Sequence, residues 1–304
     1  MRRTLTLGAI AVVALVGIVA GTLALTQGSS SGETGPSRIP VLAYHGVTGD
    51  AAPVTDEADP HYFDVRLTEF DRQMAWLHDN GYRSITPAQY VRWLRGDDAG
   101  LPAKPVLITF DDGQASTLFA TPVLERYGFR AAMYVVSGFA DGAFGGPAGE
   151  RGWYLTWDQL QDMKATGTWD MQFHGGPQGH AYVDDPAQPE CHRLYPCTLG
   201  QDDAAYHERV KADVAQGLGA MRSAFGLPEG WQGSTFAVPW DDASMGTAAP
   251  DEWLGRYFAS QFPVVFVQES YTGHEDNQRY RFEVHNPTDL DTFRAGLDST
   301  RFRR

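Results

Sequence analysis

Val106-Leu107-Ile108-Thr109-Phe110-Asp111-Asp112-Gly113 is a short apolar, β-branched run that stops abruptly at two adjacent carboxylates and a glycine. A run of this length and composition reads as a buried strand. Neighbouring carboxylates repel, so a strand end that keeps both needs a cation, a proton or a substrate beside them. Asp and Gly are also ordinary turn residues, which leaves a plain strand-to-loop turn as the alternative. In the functional reading, Asp112 helps to hold a metal and Asp111 acts as a base next to it.

On either side of this stretch, strand-like and helix-like runs alternate. Ile39 to Tyr44 is an apolar strand ending at His45-Gly46, and Leu67, Phe70, Met74 and Leu77 recur at helical spacing behind Thr68, a cap candidate. Thr86-Pro87-Ala88-Gln89 and Thr156-Trp157-Asp158-Gln159 carry the spacing of a capping box at a helix start. Further strands are expected at Tyr82–Ile85, Ala131–Val136, Trp169–Phe173, Ser234–Val238, Pro263–Val267 and Arg281–Val284. Helices are expected at Pro122–Tyr127, along Val210, Val214, Leu218, Met221 and Phe225, and near Thr288–Leu297. About eight strands separated by helices predict an α/β fold with parallel strands, and a single (β/α) barrel fits the length. A doubly wound open sheet is the alternative, although no Gly-x-Gly-x-x-Gly follows a strand.

In such a barrel the chemistry collects at the carboxyl ends of the strands. There the chain carries His45, Asp111 with Asp112, His174, Trp240 and His285. The second informative stretch is His174-Gly175-Gly176-Pro177-Gln178-Gly179-His180, where a Gly/Pro loop can bend two imidazoles towards one ion. One Asp with two His is the three-ligand set of a catalytic zinc site that keeps an open position.

These motifs resemble the polysaccharide deacetylases of carbohydrate esterase family 4, the NodB homology domain. The resemblance rests on Thr109-Phe110-Asp111-Asp112-Gly113, on His174 to His180, and on Phe236-Ala237-Val238-Pro239-Trp240. Tyr44-His45-Gly46-Val47 is similar to the permuted subgroup acting on poly-N-acetylglucosamine. The resemblance implies a distorted (β/α) barrel and a divalent metal, zinc first and nickel or cobalt next, on Asp112, His174 and His180. It implies Asp111 as base, His45 as general acid, the Trp240 backbone N–H at the oxyanion, and Pro239 and Tyr44 at the substrate. The longer gap between the histidines departs from the family pattern and leaves His192 or His207 as substitutes for His180. His285 is either a second acid or a structural histidine. The implied activity is removal of N-acetyl groups from a cell-surface glycan such as poly-N-acetylglucosamine, peptidoglycan or chitin. An O-acetyl esterase and an inactive glycan-binding domain are the alternatives. Trp153, Tyr154, Tyr182 and Trp240 are candidates for stacking on sugar rings.

The ends and the charge bound the setting. Met1-Arg2-Arg3 precedes an apolar run from about Leu5 to Leu25, enough to span a bilayer, and the leading positive charge predicts a cytoplasmic start. Residues 1–37 are expected to be a signal-anchor segment with a Gly/Ser tether, and 38–304 a catalytic domain outside the cell. A secreted form is the alternative. The net charge of −14, without a basic stripe, argues against nucleic acid as a partner. The expected partners are an acetylated polysaccharide and the membrane, with the chain a monomer. Outside the cytoplasm, Cys191 and Cys197 would close a short loop as a disulfide.

Overall fold

A computed structural model describes residues 35–50, 53–142, 145–146, 151–181, 195, 197–241, 253–267 and 276–304. The expected anchor, Tyr182, Cys191 and His192 lie outside the described residues. Among the described residues, no helix is long and apolar enough to cross a membrane.

The strands are β1 (Val41–Tyr44), β2 (Val47–Thr48), β3 (Val65–Arg66), β4 (Arg83–Ser84), β5 (Pro105–Phe110) and β6 (Ala131–Val136). They continue with β7 (Trp169–Gly175), β8 (Phe236–Ala237), β9 (Val265–Val267), β10 (Gln278–Tyr280) and β11 (Phe282–Glu283). The helices are α1 (Leu67–Asp79), α2 (Pro87–Leu94), α3 (Thr121–Tyr127), α4 (Ser137–Ala140) and α5 (Trp157–Ala165). They end with α6 (Asp203–Phe225), α7 (Trp253–Gln261) and α8 (Leu290–Leu297).

All pairings in the main sheet are parallel, in the order β10-β9-β8-β7-β6-β5-β1-β11, with β4 added beside β5. The residues of β5 and β6 are buried throughout, as a parallel strand covered on both faces requires. Alternate residues feed two cores. Leu42, Ile108, Phe110 and Met133 pack into one, while Val41, Leu107, Ala132 and Tyr134 pack into the other.

A (β/α) barrel is expected from the sequence, but the hydrogen-bonded path does not close. Its two ends, β10 and β11, are consecutive in the chain and separated by Arg281 alone. The Arg281 N–H still donates to Val267 of β9, whereas the Val284 N–H donates to Ala43 of β1. One short segment thus passes from one edge of the sheet to the other, and it is too short to form a full ladder with both.

Both capping boxes form, with Thr86 accepting from the Gln89 N–H and Thr156 from the Gln159 N–H. Thr68 does not cap α1. Arg66 holds the cap position without a side-chain bond, and Asp50 accepts from the Thr68 N–H at 2.9 Å. A carboxylate from the preceding loop satisfies the helix start, which periodicity within the helix could not reveal.

Candidate active site

Register brings the chemistry-bearing ends of β11, β1 and β5 together. Tyr44 pairs with Phe110 and Ala43 with Glu283, so His45 and Asp111 follow side by side where β1 and β5 end. The Asp111 N–H donates to the Tyr44 carbonyl at 2.8 Å. Strand alternation continues through Thr109 to Asp111, on the face that Leu107 shares with Tyr134 and Phe266. Asp112 then takes a left-handed backbone, φ 69°, which is uncommon for a residue other than glycine. That turn sends the two neighbouring carboxylates to different partners.

Asp111 is buried and meets Arg281 in a bidentate pair, with Nη1–Oδ1 at 2.7 Å and Nη2–Oδ2 at 2.6 Å. Burial alone would raise the Asp111 carboxyl, but the Arg281 guanidinium and the His174 imidazole hold it below the usual carboxylate range. Arg281 is itself buried, and its guanidinium lies 5.6 Å from the Tyr134 ring centre and 5.8 Å from that of Phe266. In the sequence Arg281 is only the first residue of an expected strand. An arginine in a run otherwise suited to a covered strand was the available signal.

Asp112 faces the imidazoles. Its Oδ1 lies 3.4 Å from His174 Nε2 and 3.1 Å from His180 Nε2, and the two imidazole nitrogens are 3.2 Å apart. Nδ1 of His174 lies 2.8 Å from the Ala237 carbonyl, which can only accept, so Nδ1 carries the proton and neutral His174 presents a bare Nε2. Burial drives His180 down to about 3, because neither Asp112 nor its other neighbours offset the lost hydration. Burial also works against a charged His174, but Asp111 and Asp112 raise it overall. Asp112 is held well below the usual range by the imidazoles against the opposing effect of burial.

These three residues form the one group of potential metal ligands among the described residues, with one donor atom from each lying within 4.8 Å of the others. Asp112 Oδ1 is buried without a hydrogen-bond partner. An orphaned carboxylate oxygen beside two imidazole nitrogens, that of His174 bare, is a donor set a divalent cation takes, so the residues fit a metal. The substitute ligand His207 lies on α6, stacked on Trp253 at 3.7 Å, and takes no part in the group.

The remaining predicted residues divide. His45 is largely buried, with Nδ1 unpartnered and 3.9 Å from a Glu283 oxygen. The other Glu283 oxygen lies 3.0 Å from His285 Nε2, so one carboxylate stands between two histidines. His285 also packs against Tyr62 at 4.8 Å and Phe63 at 5.3 Å. Trp240 adopts φ 61° and its ring lies 4.5 Å from that of His180. Tyr154 stacks on Phe139 and Trp153 lies against His61.

Tyr44, expected at the substrate, lies in the core. It is completely buried, donates to Gln73 Oε1 at 2.8 Å and stacks on Phe110. Alternation along β1 turns it to the face opposite Val41, into the helix-covered core. Pro239 is also buried, near Gly175. Cys197 is disulfide-bonded.

Residues 98–239 match the family model described as polysaccharide deacetylase. The chain is 33% identical over 133 residues to YxkH of Bacillus subtilis strain 168, covering 43% of this chain and 40% of that one. It is 28% identical over 196 residues to the poly-beta-1,6-N-acetyl-D-glucosamine N-deacetylase of Escherichia coli K12, covering 58% of this chain and 27% of the relative. The matches thus span less than half the length of either curated relative. The solved de-N-acetylase from Aggregatibacter actinomycetemcomitans superposes with a TM-score of 0.68 at 21% identity, over 86% of this chain and 100% of that one, a likeness of fold. The β5 motif with its paired aspartates and the histidine loop both fall inside residues 98–239, the stretch of this chain that is of polysaccharide deacetylase type.

Proposed function

We propose that this domain hydrolyses N-acetyl groups on a cell-surface glycan, poly-N-acetylglucosamine first among the candidates, with a divalent metal on Asp112, His174 and His180. The observation that carries the reading is the division of labour between adjacent carboxylates. Asp111 is paired with Arg281, and Asp112 is left with an unpartnered oxygen among imidazoles. The name of the Escherichia coli relative and the Tyr44-His45-Gly46-Val47 motif support the choice of glycan.

A divalent cation bound there, with zinc the first expectation, supplies Lewis acidity and a water of lowered pKa. Asp111, kept ionised by Arg281, would accept a proton from the water that attacks the acetamide carbonyl. The Trp240 N–H is assigned to the developing oxyanion, where losing one donor typically costs about 2.7–4 kcal/mol. His45, whose Nδ1 lies 3.9 Å from a Glu283 oxygen, would deliver a proton to the departing amine, leaving acetate and a free amino sugar. The apolar run after Met1-Arg2-Arg3 supports an anchored domain acting outside the cell.

The test is acetate release from poly-N-acetylglucosamine, chitooligosaccharides and peptidoglycan, with and without chelator. Asp111→Asn is expected to abolish release while retaining bound metal. Release from O-acetylated glycans alone would replace the amidase reading with an esterase one, and no release from metal-loaded protein would favour a binding domain.

A further inference from the structure

The stretch between the two histidine ligands, Gly175-Gly176-Pro177-Gln178-Gly179, has three glycines and little intrinsic preference for one conformation. Its own bonds are two tight turns, Gly179 N–H to the Gly176 carbonyl and Ala181 N–H to the Gln178 carbonyl. What fixes it comes from elsewhere in the chain. The Gly176 N–H donates to the Tyr195 hydroxyl at 3.0 Å, and the Gln178 N–H donates to Asp213 Oδ1 at 2.9 Å. The Tyr195 hydroxyl in turn donates to Asp213 Oδ2 at 2.8 Å, closing a buried bracket around the loop. Tyr195 is itself held by a 2.8 Å bond from the Tyr206 hydroxyl to its carbonyl.

The fit of this bracket is close. A Cβ at Gly179 would lie 2.7 Å from the Tyr195 hydroxyl, and one at Gly217 of α6 would lie 2.6 Å from Gly176 Cα. A Cβ at Gly176 would collide with Asp213. Burying a carboxylate is costly unless its oxygens are hydrogen-bonded, and Asp213 directs its oxygens to the loop and to the tyrosine that holds the loop. Neither residue belongs to the Asp112, His174, His180 group.

We propose that Asp213 and Tyr195 are positioning residues for the metal site, holding the 175–180 loop so that His180 Nε2 stays 3.1 Å from Asp112 and 3.2 Å from His174. The inference rests on the metal reading above, and it explains how a longer gap between the histidines still yields a ligand set. Residues behind a ligand typically change metal affinity about 10- to 100-fold when removed.

The experiment titrates zinc into the metal-free full chain against a competing chelator, for wild type, Tyr195→Phe, Asp213→Ala and Asp213→Asn. Tyr195→Phe and Asp213→Ala are expected to raise the zinc dissociation constant by about 10-fold or more. Asp213→Asn, which keeps an acceptor for the Gln178 N–H, should recover most of the loss. Acetate release lost at low zinc should return as zinc is raised. An unchanged dissociation constant accompanied only by a lower Tm would overturn the proposal, because a merely structural role gives that pattern. If Asp213→Ala does not fold, Tyr195→Phe, which deletes a single oxygen, decides. Wild type that binds no zinc overturns the metal reading and this inference together. Wild type that binds zinc but releases no acetate sinks only the deacetylase reading.

Discussion

Arg281 and Asp111 form a buried bidentate pair that the proposed chemistry needs, and it can be broken from either side. Removing one partner of a buried ion pair leaves an uncompensated charge and typically costs about 3–5 kcal/mol. Arg281→Met should therefore lower stability by about that amount in urea unfolding near neutral pH. The pH dependence has a definite sign. The folded carboxyl of Asp111 lies below its unfolded value of about 3.9, so its contribution is present above that pH and lost as pH falls through the folded value. The gap between wild type and Arg281→Met should therefore be full at neutral pH and narrow on acidification below about pH 4. The same variant should move the acid limb of acetate release upward, since burial then acts on Asp111 without the guanidinium. A limb that stays in place would remove Asp111 from the role of base.

Helix α6 lies behind the histidine loop, and its glycines separate packing from propensity. Gly→Ala within a helix ordinarily stabilises by about 0.5–1 kcal/mol. Gly219 fits that case, since the nearest atom to an added Cβ is the end of the Arg222 side chain at 3.9 Å. Gly217 does not, since a Cβ there meets Gly176 Cα at 2.6 Å and the Phe173 ring at 2.7 Å. Gly219→Ala should thus stabilise by about 0.5–1 kcal/mol, and Gly217→Ala should destabilise by about 1–3 kcal/mol, both measured by chemical denaturation. Equal effects at the two sites would mean that the contact between α6 and the loop contributes nothing. The elements themselves were largely legible. β5, β6 and both capping boxes follow from runs of four to eight residues, and they formed as expected. The start of α1 is not legible in its own residues, because the carboxylate that satisfies it comes from Asp50, eighteen residues before Thr68.

At the scale of the molecule, a cation on Asp112, His174 and His180 would tie the end of β5 to the end of β7 and to the loop beyond it. A ligand bound only by the folded state stabilises it by mass action, about 2.7 kcal/mol at a hundredfold excess over Kd. Zinc should therefore raise the Tm of the metal-free protein by several degrees, chelator should reverse the rise, and His174→Ala should abolish it. A Tm indifferent to zinc would count against the three residues as ligands.

The sequence by itself determined the alternation of strands and helices, the paired acids at a strand end and the histidines at a second one. Those signals are local, because strand period, capping and turn chemistry act over a few residues. Tertiary structure alone decided that Asp111 meets Arg281 across a separation of 170 residues, and that Asp213 and Tyr195 bracket the histidine loop. It likewise moved Tyr44 into the core and left the sheet's ladder open at Arg281. Which buried charge neutralises which depends on strand register and on where one segment passes between sheet edges, and neither leaves a periodic mark in the chain.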